Sequence, residues 1–358
     1  MNLEKELSGI SFKLTAGGEW QQAYYNTQVS KNRSGSPDTL QTNDDINISV
    51  YSLFTQAVLE LGKEWVVTAG TSLNKSSVSI RRLNVYPVLP LKRTYRSEFA
   101  PRVSLVKQFG NNFSLSGSFS QGFSPPTISE LLPSTGEIST FLEAERGNNY
   151  ELGARLNLLK STLQIDITGF YFRLNGALVV PRDINNADFF VNAGDTKQRG
   201  LEGSVQYLLK SKKEAAFISL ITIRSSHSIY RFNFGTYRKD ITDFNGNRLP
   251  GVPGYTGSLN IDIQSKKNLL FSISLFRASS VYLNDANTMK DQPYTLVGSR
   301  LNYKFTLNKK LSLTLYAGVD NLFDELYSLG NDINAAGGRF YNTAPGRNWY
   351  AGIRFSRN

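Results

Sequence analysis

Apolar and polar residues take turns along most of this chain. In FSLSGSF, Phe113, Leu115, Gly117 and Phe119 alternate with Ser114, Ser116 and Ser118. LQIDITGFYF sets Leu163, Ile165 and Ile167 against Gln164, Asp166 and Thr168, and SLNIDIQ sets Leu259, Ile261 and Ile263 against Asn260, Asp262 and Gln264. LSLTLYAGV and the closing NWYAGIRF repeat the pattern, the latter through Trp349, Ala351, Ile353 and Phe355. A period of two places one oily and one wet face on an extended strand. No segment beyond about ten residues carries a 3.6-residue period, so the chain is all-β. About fourteen strands are predicted, many of them longer than the ~5–6 residues of an average soluble strand. In NISVYSLFTQAVLEL the parity changes between Ile48, Val50, Phe54 and Ala57, Leu59, Leu61, which predicts a β-bulge.

The connections fall into two alternating kinds. Short polar turns are predicted near Gly62, Gly110, Lys160, 210–213, 265–267 and 308–310. Longer stretches rich in Gly, Asn and Pro lie near 27–45, 78–93, 122–147, 175–190, 228–251, 280–292 and 321–344. A soluble sandwich buries its apolar face between short strands and has no systematic difference between its two ends. A transmembrane antiparallel β-barrel turns the apolar face to lipid, with strands of about 9–11 residues, short turns at one end and long loops at the other. The second description fits. The alternate face, with its Ser, Thr, Asn, Gln, Asp and Arg, is too polar for a dry core and suits a wet lumen. An even strand count would put both termini at the short-turn side, and an unpaired edge in hydrocarbon requires closure.

Composition narrows this further. The 358 residues contain no cysteine, which removes disulfides and thiolate metal sites. No apolar run approaches the ~18–20 residues of a membrane helix. MNLEKELSGISFKL has neither the apolar core nor the small-residue cleavage site of a secretory signal. The net charge of +11 favours anionic ligands or lipopolysaccharide phosphates. The basic residues are dispersed rather than gathered on one patch, so nucleic acid is not expected as a partner.

Four stretches, in order, carry a family resemblance: SFSQGFSPPTISELLP from Ser118, LEAERGNNYELGAR from Leu142, VNAGDTKQRGLEGSV from Val191, and AGVDNLFDELYS with RFYNTAPGRNWYAGIRF near the end. Each motif alone is weak, but together they resemble TonB-dependent outer-membrane receptors, the active importers of ferric siderophores, cobalamin and similar nutrients. The resemblance implies a 22-stranded barrel filled by a plug domain that meets the TonB coupling protein. Signal peptide, coupling box and plug are not found, so residues 1–358 are expected to be the carboxy-terminal part of such a barrel. The implied location is the Gram-negative outer membrane, reached through the barrel-assembly machinery. The implied partners are membrane lipid, lipopolysaccharide and a small-molecule ligand, a ferric chelate by family frequency; TonB itself would act only through the missing plug. A self-contained passive channel of about fourteen strands is the alternative, and a soluble adhesin a third class.

Chemistry beyond capture is not expected. The single histidine, His227, precludes His-based metal clusters, no Gly-x-Ser-x-Gly elbow or phosphate-cradling loop occurs, and neither catalysis nor a cofactor is predicted. The loops and strand ends offer Arg81, Arg82, Arg93, Tyr95, Arg96, Arg146, Tyr230, Arg231, Tyr237, Arg238, Arg339, Tyr341 and Arg347 as ligand contacts, since Arg forks match carboxylates and phosphates and Tyr adds flat amphipathic area. For any one of them, a solvated or lipopolysaccharide-holding role is the plainer reading. Glu151, Arg155 and Glu202 are expected on the lumen face as structural charges. Asn321 and Asp324 are read as a strand-stopping turn, Pro345-Gly346 as a reset before the last strand, and Gly194 and Gly200 as bends or close approaches.

Overall fold

A computed structural model describes residues 1–7, 9–132, 138–179, 190–192, 194–213, 216–239, 241–308 and 310–357. The alternating segments become β1 (Asn2–Leu7), β2 (Ile10–Arg33), β3 (Ser36–Leu61), β4 (Trp65–Arg82), β5 (Glu98–Phe109), β6 (Phe113–Ser124), β7 (Glu145–Leu158) and β8 (Leu163–Asn175). They continue as β9 (Asp195–Lys210), β10 (Ile218–Phe234), β11 (Tyr255–Ser265), β12 (Leu269–Ala278), β13 (Tyr294–Asn308), β14 (Leu311–Asp320) and β15 (Asn348–Arg357). Each pairs antiparallel with its neighbours in chain order, and Pro90–Thr94 pairs beside β4, off this path.

Register fixes the faces. Ile167 on β8 stands opposite Ala154 on β7 and Gly203 on β9, so these three share a face. Asp166 and Thr168 occupy the other, opposite Arg155 and Glu202. On β15, Trp349, Ile353 and Phe355 stand opposite Val319, Leu315 and Leu313, all on the apolar side. That side is bare: Leu152, Trp349, Ile353 and Phe355 are each more than 60% exposed. Exposed aliphatic and aromatic side chains over a whole sheet face need an apolar solvent, and acyl chains provide one.

Among the described residues the wall has fifteen strands, in keeping with the expected number of about fourteen. The count is therefore odd: β15 ends beside the short turn that precedes β14, but β1 starts partway along β2, opposite Thr15. Among the described residues β1 and β15 do not pair with each other, so this sheet is not the self-closed fourteen-stranded channel of the alternative reading.

No bulge interrupts residues 46–61, because β3 pairs continuously with β4 from Asp44↔Arg82 to Leu61↔Trp65. The parity change has another cause. Tyr51, Leu53, Ala57, Leu59 and Leu61 face outward together, whereas Ile46 and Ile48 point inward. There Ile46, Val78, Ile80, Tyr95, Leu131 and Leu142 form a buried cluster, because part of the long segment between β6 and β7 folds against the inner face of β3 and β4. Its short helix, Ile128–Leu131, starts at a capping box in which Glu130 accepts from the Thr127 N–H at 2.6 Å.

Residues 27–45 are not a loop either. β2 and β3 run 24 and 26 residues and stay paired up to a turn at Ser34 and Gly35, whose φ values are 50° and 89°. Irregular register near Val29–Asn32 accounts for the lost alternation. Of the connection expected at 175–190, residues 180–189 lie outside the described residues.

Candidate functional site

The inner face is a lattice of paired polar groups. Arg155 bonds Asp166 at 2.5 Å, and Glu151 accepts from Asn149 at 2.7 Å and Ser118 at 3.4 Å. Glu202 accepts from the Tyr230 hydroxyl at 2.7 Å. Asp262 accepts from Ser272 at 2.6 Å and pairs with Arg224, while the Arg300 guanidinium lies 4.3 Å from the Tyr316 ring centre. Glu151, Arg155 and Glu202 share the face of Asp166 and Thr168, each with a polar partner.

Toward the long-loop end this polar face turns aromatic. On β8 the inward series runs Gln164, Asp166, Thr168, Phe170, Phe172; on β10 it runs Arg224, Ser226, Ser228, Tyr230, Phe232, Phe234. Phe170, Tyr230 and Phe232 touch one another with ring centres 5.1–6.1 Å apart, and Phe234, Tyr237 and Phe244 continue the cluster into the following loop. Gly200 makes room for it: a Cβ there would lie 2.6 Å from Phe170 Cε1 and 2.8 Å from Tyr230 Cδ1. Gly194 is held at φ 102°, where a Cβ would strike the Thr236 carbonyl. Only Tyr230 and Tyr237 of this band were singled out from the sequence. Its signal was present, as phenylalanines replacing serine and threonine on the wet parity at the ends of the two strands that flank β9.

Most of the predicted rim arginines already hold carboxylates. Arg81 pairs with Asp45, and Arg82 grips Asp44 through Nε at 2.8 Å and Nη2 at 3.0 Å. Arg96 and Arg146 converge on Glu98 at 3.1 and 2.5 Å. Arg93 bonds Glu143 at 2.6 Å and the carbonyls of Thr140 and Leu142, tying down the segment before β7. Arg238 lies 3.6 Å from Asp243. These forks lock loops, since truncating one partner would leave the other's charge unmatched. Tyr95 is buried beside Arg93, and burial raises its hydroxyl above the ordinary tyrosine range. Tyr237 is also buried; its hydroxyl donates to Asp285 at 3.3 Å, and burial followed by the Asp285 charge pushes its pKa up.

Arg231, Arg339, Tyr341 and Arg347 are exposed. Arg231 faces outward, on the parity of Ile229, and so does not join Tyr230 on the inner wall. Arg347 belongs to the closing turn, where its N–H donates to Asp324 at 2.7 Å. Asn321 anchors the same turn by accepting from the Glu325 N–H at 2.8 Å and donating to the Glu325 carbonyl at 2.9 Å. Asn321 and Asp324 sit at φ 49° and 58°, so the sequence reading of a strand-stopping turn holds.

His227 also lies on the outward parity; its Nε2 meets Ser225 Oγ at 2.9 Å and its Nδ1 the Tyr255 hydroxyl at 2.8 Å. Among the described residues no group of three His, Asp or Glu side chains could hold a metal ion. What the inner wall offers is a polar lumen topped by an aromatic ledge.

The sequence matches the family described as TonB dependent receptor-like, beta-barrel, over residues 2–322. It is 22% identical over 305 residues to the metal-pseudopaline receptor CntO of Pseudomonas aeruginosa (strain UCBPP-PA14), covering 82% of this chain and 40% of the relative. The structure superposes on the ferric citrate transporter FecA in its unliganded form with a TM-score of 0.80 at 17% identity, covering 100% of this chain and 53% of that one. The siderophore receptor PiuA from Acinetobacter baumannii gives 0.73 at 16% identity, over 100% and 55%. The chain thus spans about half the length of these proteins.

Proposed function

The chain belongs to the TonB dependent receptor-like β-barrel family, and from that premise we propose that it forms wall and loops of an outer-membrane receptor importing an anionic metal chelate, a ferric siderophore being the leading class. The family is one of outer-membrane receptors rather than enzymes, and the fold is its multi-pass barrel. The observation that carries the cargo reading is the aromatic ledge of Phe170, Tyr230 and Phe232 above a wall of hydrogen-bonded polar groups. Flat rings suit the catecholate, phenolate or other planar faces of a chelate, and the polar wall below lets a hydrated ligand pass. The related proteins named for metal-pseudopaline, ferric citrate and siderophores support this class of cargo.

In this reading residues 1–358 are the carboxy-terminal part of a larger barrel in a Gram-negative outer membrane, inserted by the barrel-assembly machinery. The remaining strands cover the edges at β1 and β15, because unpaired N–H and C=O groups are costly in hydrocarbon. A plug supplies the gate and the contact with the coupling protein. The test is uptake of radioiron as ferric citrate, ferric catecholate and ferric hydroxamate in a host stripped of its own receptors. This chain alone is expected to give no energy-dependent accumulation, whereas its fusion to the plug and amino-terminal strands of a related receptor accumulates one chelate only when the coupling protein is present. Accumulation by the chain alone, or by no version with any chelate, overturns the proposal.

A further inference from the structure

Charges on the inner face are matched along one part of the wall and unmatched along another. Between β7 and β11, Arg155 pairs with Asp166 and Arg224 with Asp262. From β12 to β15 the inward positions carry Arg300, Lys304 and Arg354, with no carboxylate below Asp320 at the loop end. Among the described residues none of these three cations has a carboxylate within ion-pair distance. Register sets their spacing. Lys304 and Arg354 stand directly opposite Thr314 on its two sides, and both are exposed. Arg300 lies four residues further along β13, about 14 Å nearer the loop end at ~3.4 Å per residue. Its guanidinium rests on the Tyr316 ring, 4.3 Å from the centre, and its Nε donates to Asn302 Oδ1 at 2.9 Å, so neutral groups hold it in place. Tyr316 and Tyr350 lie flush with the wall by covering glycines of the neighbouring strands: a Cβ on Gly352 would strike the Tyr316 hydroxyl, and one on Gly318 the Tyr350 ring.

Rim arginines such as Arg82 and Arg146 are locked on carboxylates of their own chain and hold loops in place. The strip from β12 to β15 is built differently. It presents cations at two heights, one steadied by neutral groups and two without a bond to any acid. A succession of such sites attracts an anion strongly enough to enter and weakly enough to leave, as passage through a pore requires. We infer that Arg300, Lys304 and Arg354 line the route by which an anionic chelate crosses the lumen, its oxygens passing from Arg300 to Lys304 and Arg354. Guanidinium and ammonium groups both take carboxylate and phenolate oxygens, and the flat Tyr316 and Tyr350 faces leave the path unobstructed. The inference rests on the import reading and adds the side of the barrel along which the cargo travels.

The test uses the chain fused to the plug and amino-terminal strands of a relative. With the plug deleted from that fusion, reversal potentials across planar bilayers in gradients of potassium chloride and potassium citrate give the preference for anions. The double variant K304Q/R354Q changes two exposed side chains that hold no ion pair, so the fold is expected to persist. It should lower the anion-to-cation permeability ratio by about threefold or more, and adding Arg300→Gln should lower it further. Lys75→Gln with Arg231→Gln, which removes the same charge from the outer face, should leave the ratio unchanged. In cells, K304Q/R354Q in the plug-bearing fusion should bind the ferric citrate, catecholate or hydroxamate that the parent accumulates as tightly as the parent does, yet import it about fivefold more slowly. Should the double variant fail to reach the heat-modifiable folded form, Lys304→Gln and Arg354→Gln are measured singly, each expected to lower the ratio by a smaller step. An unchanged ratio, or uptake at the parent's rate, overturns the inference. A lowered melting temperature of the plug-bearing fusion with an unchanged ratio assigns the strip to an acidic face of the plug and overturns it too. The import reading fails separately, when the parent accumulates no chelate, and the permeability ratio then decides the strip alone.

Discussion

Placing one arginine on either side of the wall at Ile167 tests the orientation of the whole sheet. Ile167 is 43% exposed and opposes Ala154 and Gly203, while Thr168, the next residue, faces inward opposite Glu202. Along β8 the outward apolar residues run from Leu163 to Tyr171, before Arg173. At ~3.4 Å per residue and a tilt of ~40°, that stretch covers roughly 20 Å of height, close to the ~25 Å apolar band of an outer-membrane barrel. Ile167 is at its centre, so Ile167→Arg carries close to the full midplane cost of ~2–4 kcal/mol. At 1.4 kcal/mol per decade, a cost of ~3 kcal/mol lowers the folding equilibrium constant about a hundredfold. Thr168→Arg enters the polar lumen beside Glu202 and should cost less than ~1 kcal/mol, since water and a carboxylate receive it. Urea titration of the receptor fused to the amino-terminal strands and plug of a relative, in phosphatidylcholine vesicles, followed by tryptophan emission and by electrophoretic heat-modifiability, measures both. Equal losses, or a greater loss for Thr168→Arg, would refute the assignment of the oily face to lipid.

Three further outcomes follow from particular contacts. Asn321→Ala removes two hydrogen bonds to Glu325 and leaves a β-carbon residue at φ 49°, so a loss of ~1–3 kcal/mol is expected, with Asn321→Gly recovering only the backbone part; thermal melts of the two variants separate the contributions. Gly200→Ala drives a methyl group against Phe170 and Tyr230 and should cost ~1–3 kcal/mol while weakening chelate binding in the fused receptor, whereas Gly203→Ala, with its nearest prospective contact at 3.7 Å, should be mild. Tyr237 has its folded pKa raised by burial and Asp285, so its contribution is complete below the ordinary tyrosine value of ~10 and is lost as pH rises above that toward the folded value. Tyr237→Phe should therefore flatten the alkaline limb of the stability profile, and an unchanged limb would remove Tyr237 as its source.

Much of the wall was legible in the sequence because a period-two pattern has only one local reading. Leu163, Ile165 and Ile167 against Gln164, Asp166 and Thr168 require a strand with unlike faces, and alternating turn lengths orient it. The turn at Asn321 and Asp324 was legible as well, because its chemistry is local. Pairing and loop packing were not legible, because they join residues far apart in the chain. Ile46 and Ile48 broke the expected parity by meeting Leu131 and Leu142, and only the fold of that intervening segment could show them buried inward rather than displaced by a bulge. Most rim arginines looked free until tertiary structure brought Asp44, Asp45, Glu98 and Glu143 to them. The sequence by itself determined which residues form strands and which faces are wet, since side-chain alternation is a property of one strand. Tertiary structure decided which charges are spent on one another, as Arg82 on Asp44 and Arg146 on Glu98, because charge pairing depends on distances that no single strand contains.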